Sequence, residues 1–364
     1  MVAGLSVFAV LALVRAPHDV FWKPAVVATE WGHVLAPLAL LLAFPGRRPD
    51  AIGWVSLVAG IALLTPWMRA VPVARGLDAG LVADLGLPPG PPARIGIPGL
   101  GQIAVRVALR RIAIPAADGT ELPADLYPGR PGAPLVVAVH GGSWNAGDSS
   151  QLPEMYHRLA ARGYHVAAIT YRLVPTHRHP TQSDDVAAAV SWLEAHAGDF
   201  GWDATRVVLY GRSAGGHLAL LQATAVVDPA VVGVLALYPV TDFDWSWDHP
   251  TNPLVVDSFA TITDLLGRRR EDDPDRATYH AASPYFQIRP GLPPILVAHG
   301  GRDELVFHEQ SVRFVQRLRD AGDRAYLLSF PWATHGFEAN LDGPSGRLWC
   351  HAVDRALAAW APLP

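Results

Sequence analysis

The hydrophobic pattern divides the chain in two. Residues 1–72 carry three apolar stretches, Val2 to Val14, Ala25 to Phe44 and Ala51 to Met68. The third is uncharged and approaches the roughly 20 residues needed to cross a hydrocarbon layer about 30 Å thick. The second reaches full length only by including Glu30 and His33 near one end. With Trp31, Trp54 and Trp67 as interfacial anchors, the pattern predicts a membrane region of two or three transmembrane helices. The first stretch lacks a basic leader and an A-x-A cleavage site, which argues for a short span over a cleaved signal. Arg15, Lys23, Arg69 and Arg75 fall on one side and Arg47 with Arg48 on the other, an excess that favours a cytoplasmic C-terminal domain.

From Val71 to Gly101 periodicity gives way to Pro and Gly, as in LGLPPGPPARIGIPGLG, and a semi-extended linker is expected over residues 73–101. Such composition joins units that share few contacts, so a chain beginning near Gln102 is expected to stay soluble and active alone. Beyond it the period changes. Strand-like runs at Ile103 to Ile114 and Glu121 to Leu126 flank the Asp118-Gly119 turn signal and predict an antiparallel pair. Apolar runs at Leu135 to Val139, His165 to Tyr171, Val207 to Leu209, Val232 to Leu237, Ile295 to Ala298 and Ala325 to Phe330 then read as strands. Between them lie helical patterns at Leu152 to Arg162, Asp184 to Ala197 with Ser183 as N-cap, Ala214 to Leu221, Glu309 to Ala321 and Gly346 to Trp360. Alternation of this kind predicts an α/β domain over residues 102–364, a mostly parallel sheet with helices on both faces, carrying an irregular insert at about 241–284.

The candidate chemistry follows from where the strands end. Val207 to Leu221, VVLYGRSAGGHLALL, is an apolar run, a G-x-S-x-G turn and a helix, the pattern of a nucleophile elbow that exposes Ser213 above the sheet edge. Gly211 and Gly215 are needed because side chains there would collide with neighbouring backbone. A serine hydroxyl needs a histidine base held in one tautomer by a carboxylate, and in this fold the order is Ser, acid, His. Asp303 in HGGRDELV and His335 in WATHGFE follow their strands at the edge where the elbow opens, whereas the rival acids are placed less well: Glu304 should point away from its neighbour and Asp323 precedes its strand. His140-Gly141-Gly142 follows another strand, so the backbone N–H groups of Gly141, Gly142 and Ala214 are candidate oxyanion donors, with His140 orienting the loop. Trp144 beside this loop, and Trp245 and Trp247 in the insert, are candidate walls of an apolar substrate pocket; packing the insert onto the domain is the competing role for the insert's aromatics.

Composition narrows the partners. A net charge of −4 and a pI near 6.4 give no basic field for nucleic acid, and the Arg268-Arg269-Arg270 run is followed at once by Glu271, Asp272 and Asp273. Cys350 is the sole cysteine, which excludes an intrachain disulfide or a cysteine-based zinc site. His177 and His179 with Asp184 read as a polar loop, and no metal or cofactor is expected.

Taken together, HGGSW with Gly147-Asp148, Tyr171 to Leu173, the Asp185 to Leu193 helix with Trp192, GRSAGGHLAL, GLPPILVAHGGRDELV and the terminal THGF resemble the α/β-hydrolase carboxylesterases related to hormone-sensitive lipase and the bacterial feruloyl-esterase-like proteins. The resemblance covers about Ala104 to Leu357 and implies ester hydrolysis through an acyl-enzyme, with Ser213, Asp303 and His335 as the triad. Ser143 departs from the third glycine, and Arg212 from the Asp, Glu or His, that many relatives carry. An amidase or peptidase of the same fold would share the triad, and a non-catalytic binding module would share the fold alone. A small-molecule ester and a lipid bilayer are the expected partners; the oligomeric state is not legible.

Overall fold

The computed structural model describes residues 1–43, 50–96 and 105–364. Its centre is an eight-stranded sheet in the order β1-β2-β4-β3-β5-β6-β7-β8. The strands are β1 (Arg110–Pro115), β2 (Glu121–Tyr127), β3 (Pro134–Val139), β4 (His165–Ile169), β5 (Asp203–Arg212), β6 (Val231–Leu237), β7 (Ile295–Gly300) and β8 (Ala325–Phe330). β1, β2 and β4 pair antiparallel, and every pairing from β4 through β3 to β8 is parallel. The fold is that of an α/β hydrolase. In β3 the successive residues Leu135, Val137 and Val139 enter one core while Val136 and Ala138 enter the other, so a strand covered on both faces is apolar without interruption.

Helices flank the sheet. α1 (Val2–Leu11), α2 (Asp19–Glu30), α3 (Gly32–Ala43) and α4 (Ala51–Leu85) precede it. α5 (Glu154–Arg162), α6 (Thr181–Ala195), α7 (Ala197–Phe200), α8 (Ala214–Ala225), α12 (Glu309–Asp320) and α13 (Pro344–Trp360) alternate with the strands, and the insert after β6 supplies α9 (Phe243–Asp248), α10 (Ser258–Leu266) and α11 (Ala277–Ala282). The insert is thus more regular than its sequence suggests. Ser183 is not the N-cap of α6: the helix begins two residues earlier, and the Ser183 hydroxyl turns back to the carbonyl of Pro180 at 2.7 Å. Of the predicted first strand, Ile103 and Ala104 lie outside the described residues, and strand structure starts only at Arg110.

The N-terminal region departs most from expectation. The second apolar stretch is two helices, α2 and α3, bent by 81° at Trp31. Phe44, Arg47 and Arg48 lie outside the described residues. Among the described residues one helix, α4, is long and apolar enough to cross a membrane, and α2 with α3 pass the same test only as a bent pair. Residues 73–85, expected as semi-extended linker, are helix: α4 runs unbroken past Pro66 and Pro72 for 35 residues. Its second half buries Ala70, Ala74, Leu77, Leu81 and Leu85 in the same core as Val208, Leu296, Leu328 and Trp349. Leu87, Ala93 and Ile95 extend that packing, so the Pro/Gly-rich arm wraps the domain as far as it is described, and residues 97–101 lie outside the description.

Candidate active site

Four parallel strands deliver the site from their C-terminal ends. β5 runs into Ser213, whose backbone at φ 52° and ψ −121° is strained for a residue with a side chain. The turn closes only because its flanks are glycine: a Cβ on Gly211 would lie 2.2 Å from the Gly215 carbonyl oxygen, and one on Gly215 would lie 2.2 Å from that of Val139. α8 starts at Ala214, and its first N–H groups have no partner within the helix.

β7 ends just before Asp303 and β8 just before the loop bearing His335, and the two side chains meet. Nδ1 of His335 donates to Oδ2 of Asp303 at 2.7 Å. The other carboxylate oxygen accepts the N–H groups of Leu305 and Val306, both at 2.9 Å. His299 stands on the far side, Nε2 at 3.3 Å from Oδ2 and 2.9 Å from the carbonyl of Val306, with the Ser311 hydroxyl 2.7 Å from Nδ1. Burial alone would raise the pKa of Asp303; the His335 imidazole and the hydrogen bonds from His299 and His335 outweigh it and hold the carboxyl well below the usual range. For His335 burial pulls downward, and the charge and hydrogen bond of Asp303 prevail, raising it above its ordinary value. With the proton of Nδ1 committed to Asp303, Nε2 is left as the acceptor.

Glu304 points elsewhere, as expected. Its Oε2 takes the Thr334 hydroxyl, and burial together with the neighbouring charge of Asp303 pushes it up to about 7. Asp323 lies apart as well, accepting the N–H groups of Gly291 and Leu292.

The glycine loop after β3 corrects one assignment. The N–H of Gly141 donates to Oε1 of Gln151 at 3.0 Å and is not free for a substrate. Gly142 keeps its N–H unpaired among the described residues. His140 hydrogen-bonds the Gly141 carbonyl through Nδ1 at 2.8 Å and stacks on Tyr171 with ring centroids 4.3 Å apart. Burial pushes its imidazole down to about 4, so it stays neutral and shapes the loop.

A cleft of about 640 Å³ of empty space, open to solvent, lies against Ser213 and Ala214. Trp144, Phe243, Trp245, Ile262 and Leu305 give it an apolar wall. Trp144 is fixed there by its indole N–H on Nδ1 of His217 at 3.2 Å. Trp247 does not line it. That ring packs inside the insert against Phe259 at 4.7 Å and Tyr279 at 5.9 Å, the competing role.

Tyr238 and Trp22 touch His335 without having been marked by the sequence, and Arg212, noted there only as a departure, joins them through Glu338. Tyr238, just past β6, lies 4.1 Å from the imidazole between ring centroids, and its hydroxyl bonds Glu338. Arg212 is buried beneath the elbow, 3.9 Å from the same Glu338 carboxylate, and bonds the Tyr156 hydroxyl. Trp22 of α2 donates its indole N–H to the His335 carbonyl at 2.9 Å. The position of Tyr238 at a strand end was readable; nothing local marks Trp22. Among the described residues no cluster of three or more His, Cys, Asp or Glu could hold a metal.

The chain is similar in sequence and in fold to known esterases. The chain is 33% identical over 241 residues to "Esterase LipC" of Mycobacterium tuberculosis, covering 61% of this chain and 57% of the relative. It is 30% identical over 237 residues to "Carboxylesterase NlhH" of the same organism, covering 60% and 72%. The chain spans little more than half the length of the first curated relatives it matches, 57%, 50% and 52%. In structure it resembles a bacterial heroin esterase at 25% identity with a TM-score of 0.61, over 81% of this chain and 92% of that one. Residues 126–318, more than half of the chain, match the BD-FAE family, and the chain belongs to that family.

Proposed function

We propose that the protein is a serine hydrolase that cleaves carboxylic esters through an acyl-enzyme. The observation that carries this is the 2.7 Å contact of His335 with a buried Asp303 at the same sheet edge as the strained Ser213. In the first step Nε2 of His335 takes the Ser213 proton as Oγ attacks the ester carbonyl. The tetrahedral oxyanion accepts the N–H groups of Gly142 and Ala214. His335 then hands its proton to the departing alcohol, leaving the acyl group on Ser213. Water, deprotonated by the same Nε2, releases the acid. The names of the relatives, esterase and carboxylesterase, support the reaction type. The apolar wall of the cleft fits an acyl group next to the ester carbonyl.

The N-terminal helices anchor this enzyme in a bilayer in the same reading. The span-length apolar half of α4 and the exposed apolar side chains of the helices around it support that, and the excess of Arg15, Lys23, Arg69 and Arg75 over Arg47 and Arg48 favours the cytoplasmic side for the catalytic domain. Rapid mixing with a p-nitrophenyl ester tests the chemistry. A burst of p-nitrophenol stoichiometric with protein, absent in Ser213→Ala, is expected; turnover that survives Ser213→Ala would refute it.

A further inference from the structure

α2 runs beside the cleft and is stitched to the insert. The Asp19 N–H donates to the Leu254 carbonyl at 2.9 Å, and the Asn252 amide donates to the Pro17 carbonyl at 3.0 Å. Along α2 lies an open groove of about 800 Å³ of empty space, walled by Asp19, Val20, Trp22 and Lys23 on one side and by Val255 and Val256 of the insert with Leu305 on the other. Val256 and Leu305 also line the cleft that holds Ser213. Groove and cleft therefore share a wall.

The mouth of this groove sets the apolar Val20 and Trp22 beside the charged Asp19 and Lys23. Val20 is 63% exposed there, and earlier in the chain Leu13, 48% exposed, and Arg15 are exposed as well. Beyond, α3 and α4 pack as a hairpin that leaves Leu41, Trp54, Val58 and Ile61 uncovered. Contiguous apolar surface on this scale needs a cover. A bilayer fits it better than a second protein: the apolar half of α4, residues 51–68, spans roughly 27 Å, close to a hydrocarbon core, and bases with a tryptophan at its base are the composition of a membrane interface. Because α3 turns 81° from α2, inserting the hairpin along the membrane normal lays α2 close to the membrane plane, with the groove opening at the headgroup level.

We infer that the groove along α2 is an entry path from the bilayer, and that the enzyme takes esters dissolved in the membrane, whose long apolar chain lies between Val20 and Val255 while the carbonyl reaches Ser213. The inference rests on the ester-hydrolase reading above and names its substrate class. Water cleaves the C–O bond, and the acid and alcohol leave, the longer of them returning to the lipid.

The test uses the full chain in phosphatidylcholine–phosphatidylglycerol vesicles, with p-nitrophenyl butyrate in the water and p-nitrophenyl palmitate in the lipid. Val255→Trp fills the groove and Val20→Asp puts a charge at its mouth; neither residue lines the cleft, and vesicle flotation with an unchanged circular dichroism spectrum verifies both variants. Palmitate turnover should fall at least about tenfold in each while butyrate turnover stays within about twofold. Equal losses on both substrates, or no loss on either, would overturn the entry path. A wild-type chain that hydrolyses butyrate and ignores vesicle palmitate would overturn it alone. One that hydrolyses neither would overturn the ester-hydrolase reading and the entry path together.

Discussion

The indole N–H of Trp22, on the second helix of the chain, is bonded to the carbonyl of His335, 313 residues away, at 2.9 Å. The N-terminal helices therefore support the loop that carries the proposed base. Other contacts point the same way: the Arg302 guanidinium bonds the Ala12 carbonyl, and the buried Glu30 carboxylate accepts the Ser345 hydroxyl at 2.7 Å. A chain beginning at Gln102 loses these and strips Leu77, Leu81 and Leu85, all fully buried, from the core, each worth about 1.5–3 kcal/mol. It should aggregate or lose most ester turnover, contrary to what the Pro/Gly-rich arm suggested. Trp22→Phe in the full chain isolates the local contact: about 1 kcal/mol is lost, seen as a severalfold fall in kcat with the fold intact by circular dichroism.

The three proposed catalytic residues should fail as a unit. Ser213→Ala and His335→Ala are each expected to cut kcat/KM by several orders of magnitude, and Asp303→Asn by about 10⁴ because the imidazole then loses its tautomer. Steady-state assays with a p-nitrophenyl ester measure this. A mild Asp303→Asn beside a crippling Glu304→Gln would reassign the acid.

The pH profile follows from the same contacts. His335 must be neutral to accept the serine proton, and its pKa is raised above 6.5. kcat/KM should therefore climb through an apparent pKa above that value and level off. Glu304 contributes to the rise, so Glu304→Gln should shift the midpoint downward and leave the plateau nearly unchanged. Stability carries the opposite signature. Glu304 at about 7 when folded, against 4.5 ordinarily, means that the native state binds the extra proton, so stability falls as pH rises from 4.5 to about 7. Denaturation curves of Glu304→Gln should lose that slope.

Trp245 and Trp247 separate pocket from packing. Trp245 lines the cleft and Trp247 does not. Trp245→Ala should change the preference among p-nitrophenyl esters of different acyl length. Trp247→Ala should lower stability by about 3 kcal/mol with that preference unchanged.

The domain's architecture was legible because β3 to β7 are largely buried on both faces and β3, β5 and β7 end in turns marked by glycine. Ser213, Asp303 and His335 were proposed from the G-x-S-x-G turn, the order Ser, acid, His and the strand ends, and of these pairings the structure brings Asp303 and His335 together. Gly141 could not be removed from the donors without seeing Gln151, ten residues on and in no fixed register with it. The wrapped arm was hidden by its Pro and Gly content, although Ala70, Ala74, Leu77, Leu81 and Leu85 keep a helical spacing that composition masked. Tertiary contact, not propensity, carries α4 past Pro72.

In the proposed mechanism Ser213 is the nucleophile, activated by the His335–Asp303 pair. Intact-protein mass spectrometry after a fluorophosphonate probe tests it most directly. One adduct per chain is expected, mapped to Ser213, absent in Ser213→Ala and strongly slowed in His335→Ala. An unlabelled wild-type chain, or an adduct that persists in Ser213→Ala, would contradict it.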